Sequence, residues 1–186
     1  MVQATQHVPV LLREVLDGLQ PQSGGRFIDC TLGGGGHSRA LLDRIGWPGR
    51  LLALDADPSA IERARRNLGF YGDRVVFVHA NFARLGEVAR EQGFQQVDGV
   101  LMDLGMSVDQ LTSDRGFGFH DESALDMRFD VSRGEAASAL VNALDVDELA
   151  DVIFRYGEEP ASRKIARAIV AARPIRSAAR LAQVVA

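Results

Sequence analysis

The sequence predicts an α/β fold on a parallel sheet, and three observations predict it. Short, continuously apolar segments recur through the first hundred residues, segments of helical period separate them, and a glycine cluster follows the first apolar segment. Strands that are apolar on both faces suit a sheet covered by helices on both sides. Residues 26–31 form the first strand, which runs into Gly33, Gly34, Gly35 and Gly36. In the helix that follows, residues 37–45, Ala40, Leu41, Leu42 and Ile45 share one face. Residues 50–55 form the second strand. Asp57 caps the next helix, Pro58 opens it, and Ala60, Ile61, Ala64 and Leu68 face inward. Residues 75–78 are a third strand, 82–90 a helix and 97–104 a fourth strand. Right-handed crossovers make this the first half of a doubly wound sheet, whose ligands bind beyond the carboxyl ends of the strands.

The pattern changes after Leu104. Residues 105–135 are rich in Gly, Asp and Ser around Phe117 and Phe119 and read as a long functional loop. From Asp145 the chain turns helical. Val146, Leu149, Val152, Ile153 and Tyr156 make one apolar stripe, and Ile165, Ala168, Ile169 and Ala172 another. Pro174 breaks the second helix and Ser177 caps a third. The chain accordingly divides into residues 1–105 and 106–186.

Composition narrows the function classes. Hydrophobic residues at 46% and charged residues at 25% are those of a chain with a packed core, which excludes disorder. A net charge of -4 argues against non-specific coating of nucleic acid and still leaves room for a local basic patch. One exists: residues 161–186 carry Arg163, Lys164, Arg167, Arg173, Arg176 and Arg180 and no acid. Such a run is ordinarily a solvated helix face; the sharper reading is contact with RNA. Cys30 is the only cysteine, so no disulfide forms within the chain and a reducing cytoplasm is expected. The amino terminus lacks the pattern of a secretory signal, and no apolar stretch is long enough to cross a bilayer. His7, His37, His79 and His120 are scattered, and no zinc-ligand spacing, nucleophile elbow or Walker loop appears.

The residues after each strand carry the chemistry. Glycines between strand and helix let a ligand approach the backbone closely. A dinucleotide loop needs Gly-x-Gly-x-x-Gly, but that frame meets Ser38 when begun at Gly33 and Arg39 when begun at Gly34. The fingerprint fails, and a looser glycine loop suits a ligand without a pyrophosphate, such as S-adenosylmethionine; the plainer alternative is a tight turn. Asp55 ends the second strand 22 residues after Gly33, placed to accept hydrogen bonds from both ribose hydroxyls of an adenosine. Since Asp57 supplies the helix cap, Asp55 is free for a ligand. Phe82 lies just past the third strand, where its ring packs either on adenine or in the core. Asp103 closes the fourth strand, where an acceptor group can orient an attacking amine; its plainer role is capping. His37 opens the first of these helices, as a cap or a cofactor contact.

The motifs together resemble those of the cytosine-N4 methyltransferases of 16S ribosomal RNA, the RsmH/MraW family. They are His7-Val8-Pro9-Val10-Leu11-Leu12, Thr31-Leu32-Gly33-Gly34-Gly35-Gly36-His37-Ser38, Asp55-Ala56-Asp57-Pro58, Asp103-Leu104-Gly105 and Gln110-Leu111. Arg115-Gly116-Phe117, Leu125-Asp126-Met127-Arg128 and Tyr156-Gly157-Glu158-Glu159, with Arg163 and residues 165–169, extend the match in consistent order. Met106, Gly118 and Pro160 depart from the family's usual pattern. The resemblance implies a Rossmann-like class I methyltransferase sheet, incomplete here, with a mostly helical inserted domain that helps engage RNA. It implies S-adenosyl-L-methionine as cofactor, held by Gly35, Gly36, His37, Asp55, Phe82, Asp103 and Gln110, with Asp103 also a catalytic candidate. The implied partner is 16S ribosomal RNA in the small subunit, modified on a cytosine of the decoding region. Members of this family are longer, so the chain is expected to be a fragment that stops inside the insertion, binds cofactor weakly and fails to methylate. Two other readings are a nicotinamide-dependent dehydrogenase, which shares the sheet and the acid at Asp55, and a non-catalytic RNA-binding or assembly factor.

Overall fold

The computed structural model describes residues 9–120 and 122–186. His7 and Val8 of the amino-terminal motif lie outside them. The chain divides into two compact units, Met1–Gly105 and Met106–Ala186.

The first unit is a four-stranded, all-parallel sheet with helices between its strands. Helix α1 (Leu12–Leu19) leads into β1 (Arg26–Asp29), α2 (Gly36–Ile45), β2 (Arg50–Asp55) and α3 (Pro58–Leu68). Then come β3 (Val75–His79), α4 (Leu85–Glu91) and β4 (Gly99–Leu101). The strand order is β3-β2-β1-β4. The chain winds outward through β2 and β3, then returns to the other flank of β1, so the switch point falls between β1 and β4. All of β2 but its ends is buried, as a strand covered on both faces must be. Leu41, Leu42, Ile45, Leu51, Ala64 and Leu68 pack in one core cluster, and Ile28, Leu52, Leu54, Val88 and Phe94 in another.

Helix α3 follows its sequence signals closely. Asp57 accepts from Ser59 N–H at 2.9 Å, Pro58 occupies the first turn, and Ala60, Ile61, Ala64 and Leu68 are its buried residues. Two elements differ from expectation. Residues 82–90 begin as a 3-10 turn, Phe82–Arg84, before α4. Strand β4 is three residues long instead of eight, and a side chain enters the bonding at each end. Asp98 accepts from Arg26 N–H through its carboxylate, and Asp103 N–H donates to the Thr31 hydroxyl.

The second unit is helical: α5 (Val108–Leu111), α6 (Ala137–Ala143), α7 (Val146–Gly157), α8 (Ser162–Ala171) and α9 (Ala178–Val185). Asp145 and Glu148 form a capping box on α7, and Ser177 caps α9 by accepting from Arg180 N–H. No capping signal in the sequence marks α6, whose N-cap, Ala136, offers no side-chain bond. The stretch expected to be loop contains α5 and is anchored on the helical core by the fully buried Leu125. Tyr156 does not join the inward stripe. Burial on α7 is confined to Leu149 and Ala150, and Tyr156 on the last turn is 85% exposed. No helix among the described residues is long and apolar enough to cross a membrane.

Candidate functional site

The carboxyl ends of β1, β2 and β4 are tied together by polar groups that no strand ladder requires. Gly33 N–H donates to Asp55 Oδ2 and Asp57 N–H to Asp55 Oδ1, each at 2.8 Å. The carboxylate that ends β2 therefore holds the glycine loop after β1. Each of its oxygens keeps a second lone pair for a ligand. Burial, the largest influence, pushes the Asp55 carboxyl above its ordinary range, against the two backbone N–H groups.

The loop itself is shaped by close approach. Gly35 is left-handed at φ 85, and a Cβ there would meet Leu68 Cδ1 at 2.8 Å. A Cβ on Gly36 would collide with the Pro9 ring. The segment around Pro9 and Val10 thus lies over the start of α2. His37, buried to 8% exposure, faces the Val10 carbonyl with Nε2 at 3.0 Å. A carbonyl only accepts, so Nε2 carries a hydrogen, and Nδ1 is the ring nitrogen nearer Asp103. Asp103 Oδ2 lies 3.8 Å from that Nδ1. The distance is too long for a direct hydrogen bond and short enough for both groups to face one ligand group.

Phe82 is 40% exposed just beyond β3, so simple core packing is not its role. Gln110 belongs to the second unit. Its Oε1 accepts from Ser107 N–H at 2.9 Å in a capping box, so its Nε2 hydrogens are what remain for a ligand. The first unit thus brings together Gly35, Gly36, His37, Asp55 and Asp103, with Phe82 after the neighbouring strand. A surface hollow lined by Leu16, Gln20, Pro21, Gln22 and Arg44 lies at the other end of the sheet and belongs to none of this.

Sequence reasoning missed Asp29. It is 1% exposed at the end of β1 and accepts from Ser38 Oγ at 2.7 Å and from Thr31 N–H at 3.0 Å. Burial, the largest influence, raises its carboxyl above the ordinary range, against the hydrogen bonds from Ser38 and Thr31 and the nearby His37. An acid inside an otherwise apolar strand was the available signal.

A family profile described as the MraW methylase family matches residues 4–186. The chain is 48% identical over 187 residues to a ribosomal RNA small subunit methyltransferase H from Thermomicrobium roseum, covering 98% of this chain and 57% of that protein. It is 50% identical to the protein of the same name from Nitratidesulfovibrio vulgaris, with 98% and 52% covered. The chain therefore spans about half the length of the curated relatives it matches. Among solved structures, a SAM-dependent O-methyltransferase from Thermotoga maritima aligns with 45% of this chain and 32% of its own, at TM-score 0.40 and 24% identity. With its parallel sheet, its glycine loop and a match over nearly every residue, the chain belongs to the MraW methylase family.

Proposed function

We propose that the chain forms the cofactor-binding half of an S-adenosylmethionine-dependent methyltransferase acting on small-subunit ribosomal RNA, at the N4 amino group of a cytosine in the decoding region. The observation that carries this is the convergence at the switch point: Asp55 clasps the glycine loop while Asp103 stands 3.8 Å from His37. The residues fit the cofactor. The backbone at Gly35 and Gly36 admits a close ligand, the spare lone pairs of Asp55 suit two ribose hydroxyls, and the Phe82 ring suits adenine.

When bound, S-adenosylmethionine supplies an electrophilic methyl group on its sulfonium. The chain's part is to present the amine. A cytosine amino nitrogen is a poor nucleophile because its lone pair is delocalised into the ring. Asp103 Oδ2 accepts from one of its hydrogens, and His37 Nδ1, 3.8 Å away, accepts from the other when the ring carries its single proton on Nε2, which favours the geometry in which the lone pair points at the donor. Forming the N–C bond would break the methyl–sulfonium bond and leave a neutral thioether, and it would make the amine acidic, so that its surplus proton would pass to the Asp103 carboxylate or water.

Calorimetric titration of the folded chain with S-adenosylmethionine should release or absorb heat with one-to-one stoichiometry. Absence of heat in a sample with the expected circular dichroism spectrum would reject the cofactor assignment.

An unneutralised basic face supports RNA as the partner. In the second unit Arg128, Arg133 and Arg155 each pair with a nearby carboxylate, Asp126, Asp130 and Asp151. Arg173 is spent on the Val141 and Leu144 carbonyls. Arg163, Lys164 and Arg167 stand exposed on α8, opposite its buried Ser162, Ala166 and Ile169, and pair with no acid among the described residues. Changing all three to glutamine should lower the slope of log affinity for a 16S RNA fragment against log salt by about 2. A slope equal to that of the parent would take this face out of the RNA reading.

A further inference from the structure

The ladder between β1 and β4 ends on a side chain. Its last backbone rung is Cys30 N–H to the Leu101 carbonyl, 2.9 Å. Two residues later Asp103 N–H donates to Thr31 Oγ1 at 2.7 Å. That hydroxyl is itself anchored. It points its own hydrogen at Asp29 Oδ1, 3.5 Å away, and Thr31 N–H donates to the same oxygen at 3.0 Å. The other oxygen of Asp29 accepts from Ser38, which is fully buried one residue beyond His37. One buried carboxylate therefore braces two things at once: the start of α2, where His37 sits, and, through Thr31, the backbone of Asp103.

We propose that Thr31 is a positioning residue, whose hydroxyl sets the Asp103 backbone and thereby holds the Asp103 carboxylate in register with His37 across the switch point. The inference rests on the reading of Asp103 as a ligand-binding group. Physically it follows from where the bond sits. Without the hydroxyl, nothing bonds the Asp103 amide, and the segment after Leu101 lacks its last tie to β1. The exposed run Met102, Asp103 and Leu104 has little packing to replace that tie.

The test compares Thr31→Val, which keeps the shape and loses the hydroxyl, with Thr31→Ser, which keeps the hydroxyl. Two readouts are used, the amide resonance and hydrogen exchange of Asp103, and affinity for S-adenosylhomocysteine by calorimetry. Thr31→Val should shift the Asp103 amide, speed its exchange at least tenfold and weaken the ligand about tenfold. Thr31→Ser should stay within about twofold of the parent in both. In an Asp103→Ala background, Thr31→Val should cost no further affinity, since the carboxylate it positions is gone. An unshifted Asp103 amide in Thr31→Val, or an undiminished affinity loss in the Asp103→Ala background, would overturn the proposal. Should the valine variant fold poorly, Thr31→Ala takes its place under the same criteria. If the parent chain binds no S-adenosylhomocysteine, the cofactor reading fails, while the amide signature still decides the role of Thr31.

Discussion

Asp55→Ala should weaken S-adenosylhomocysteine binding about a hundredfold. A hydrogen bond to a charged group contributes about 1.5–3 kcal/mol, and a ribose offers two hydroxyls to this carboxylate, so a combined loss of about 3 kcal/mol is a conservative figure. Part of the loss acts through the loop. With the carboxylate gone, Gly33 N–H and Asp57 N–H lose their acceptor, and the glycine segment is released from the end of β2. Asp55→Asn separates the two effects, because its carbonyl oxygen keeps one of the backbone bonds while the charge is lost. A folded Asp55→Ala chain that binds within twofold of the parent would eliminate the ribose role. The pH dependence has a fixed sign. Burial raises the Asp55 carboxyl, so protonation begins above the ordinary carboxylate range. Since the ionised form accepts at both oxygens, affinity should be full near neutrality and fall as the pH drops through that raised value.

How much of this was legible in the sequence depends on whether a contact is local. Asp57 and Pro58 announce α3, and the spacing of Ala60, Ile61, Ala64 and Leu68 gives its buried face without reference to anything outside the helix. Asp55 could be singled out because strand end and glycine loop stand at a recognisable distance along the chain. The brace around Asp29 could not. Thr31 and Ser38 read as turn residues, and only the folded sheet brings Asp103, 72 residues from Thr31, against that hydroxyl. The contact of His37 with Val10 is hidden for the same reason: a side chain meets a backbone carbonyl 27 residues away, which no residue pattern encodes. Tyr156 shows the converse failure. It has the helical period of α7, but the period does not say where the neighbouring core stops.

The four glycines in a row are alike in sequence and unlike in structure, and that difference is measurable. Gly35→Ala should destabilise the first unit by about 3 kcal/mol, whereas Gly34→Ala should change its stability by no more than a few tenths. At Gly35 two penalties combine. The backbone is left-handed at φ 85, which costs a residue with a Cβ about 1 kcal/mol or more. The added methyl would also stand 2.8 Å from Leu68 Cδ1 and 3.2 Å from its Cγ, and Leu68, 1% exposed, is held by the core cluster around it. Overpacking of that kind costs about 1–3 kcal/mol. At Gly34 neither penalty exists: no atom lies within 4 Å of its Cβ position, and its φ is outside the left-handed region. Thermal unfolding of the first unit should separate the two variants by roughly 12–24 °C. Combining Gly35→Ala with Leu68→Ala should cost less than the sum of the two, because the second change removes the atoms the first collides with. Equal losses at Gly34 and Gly35 would mean that the loop tolerates side chains generally, and that close packing against α3 does not shape the surface offered to the cofactor.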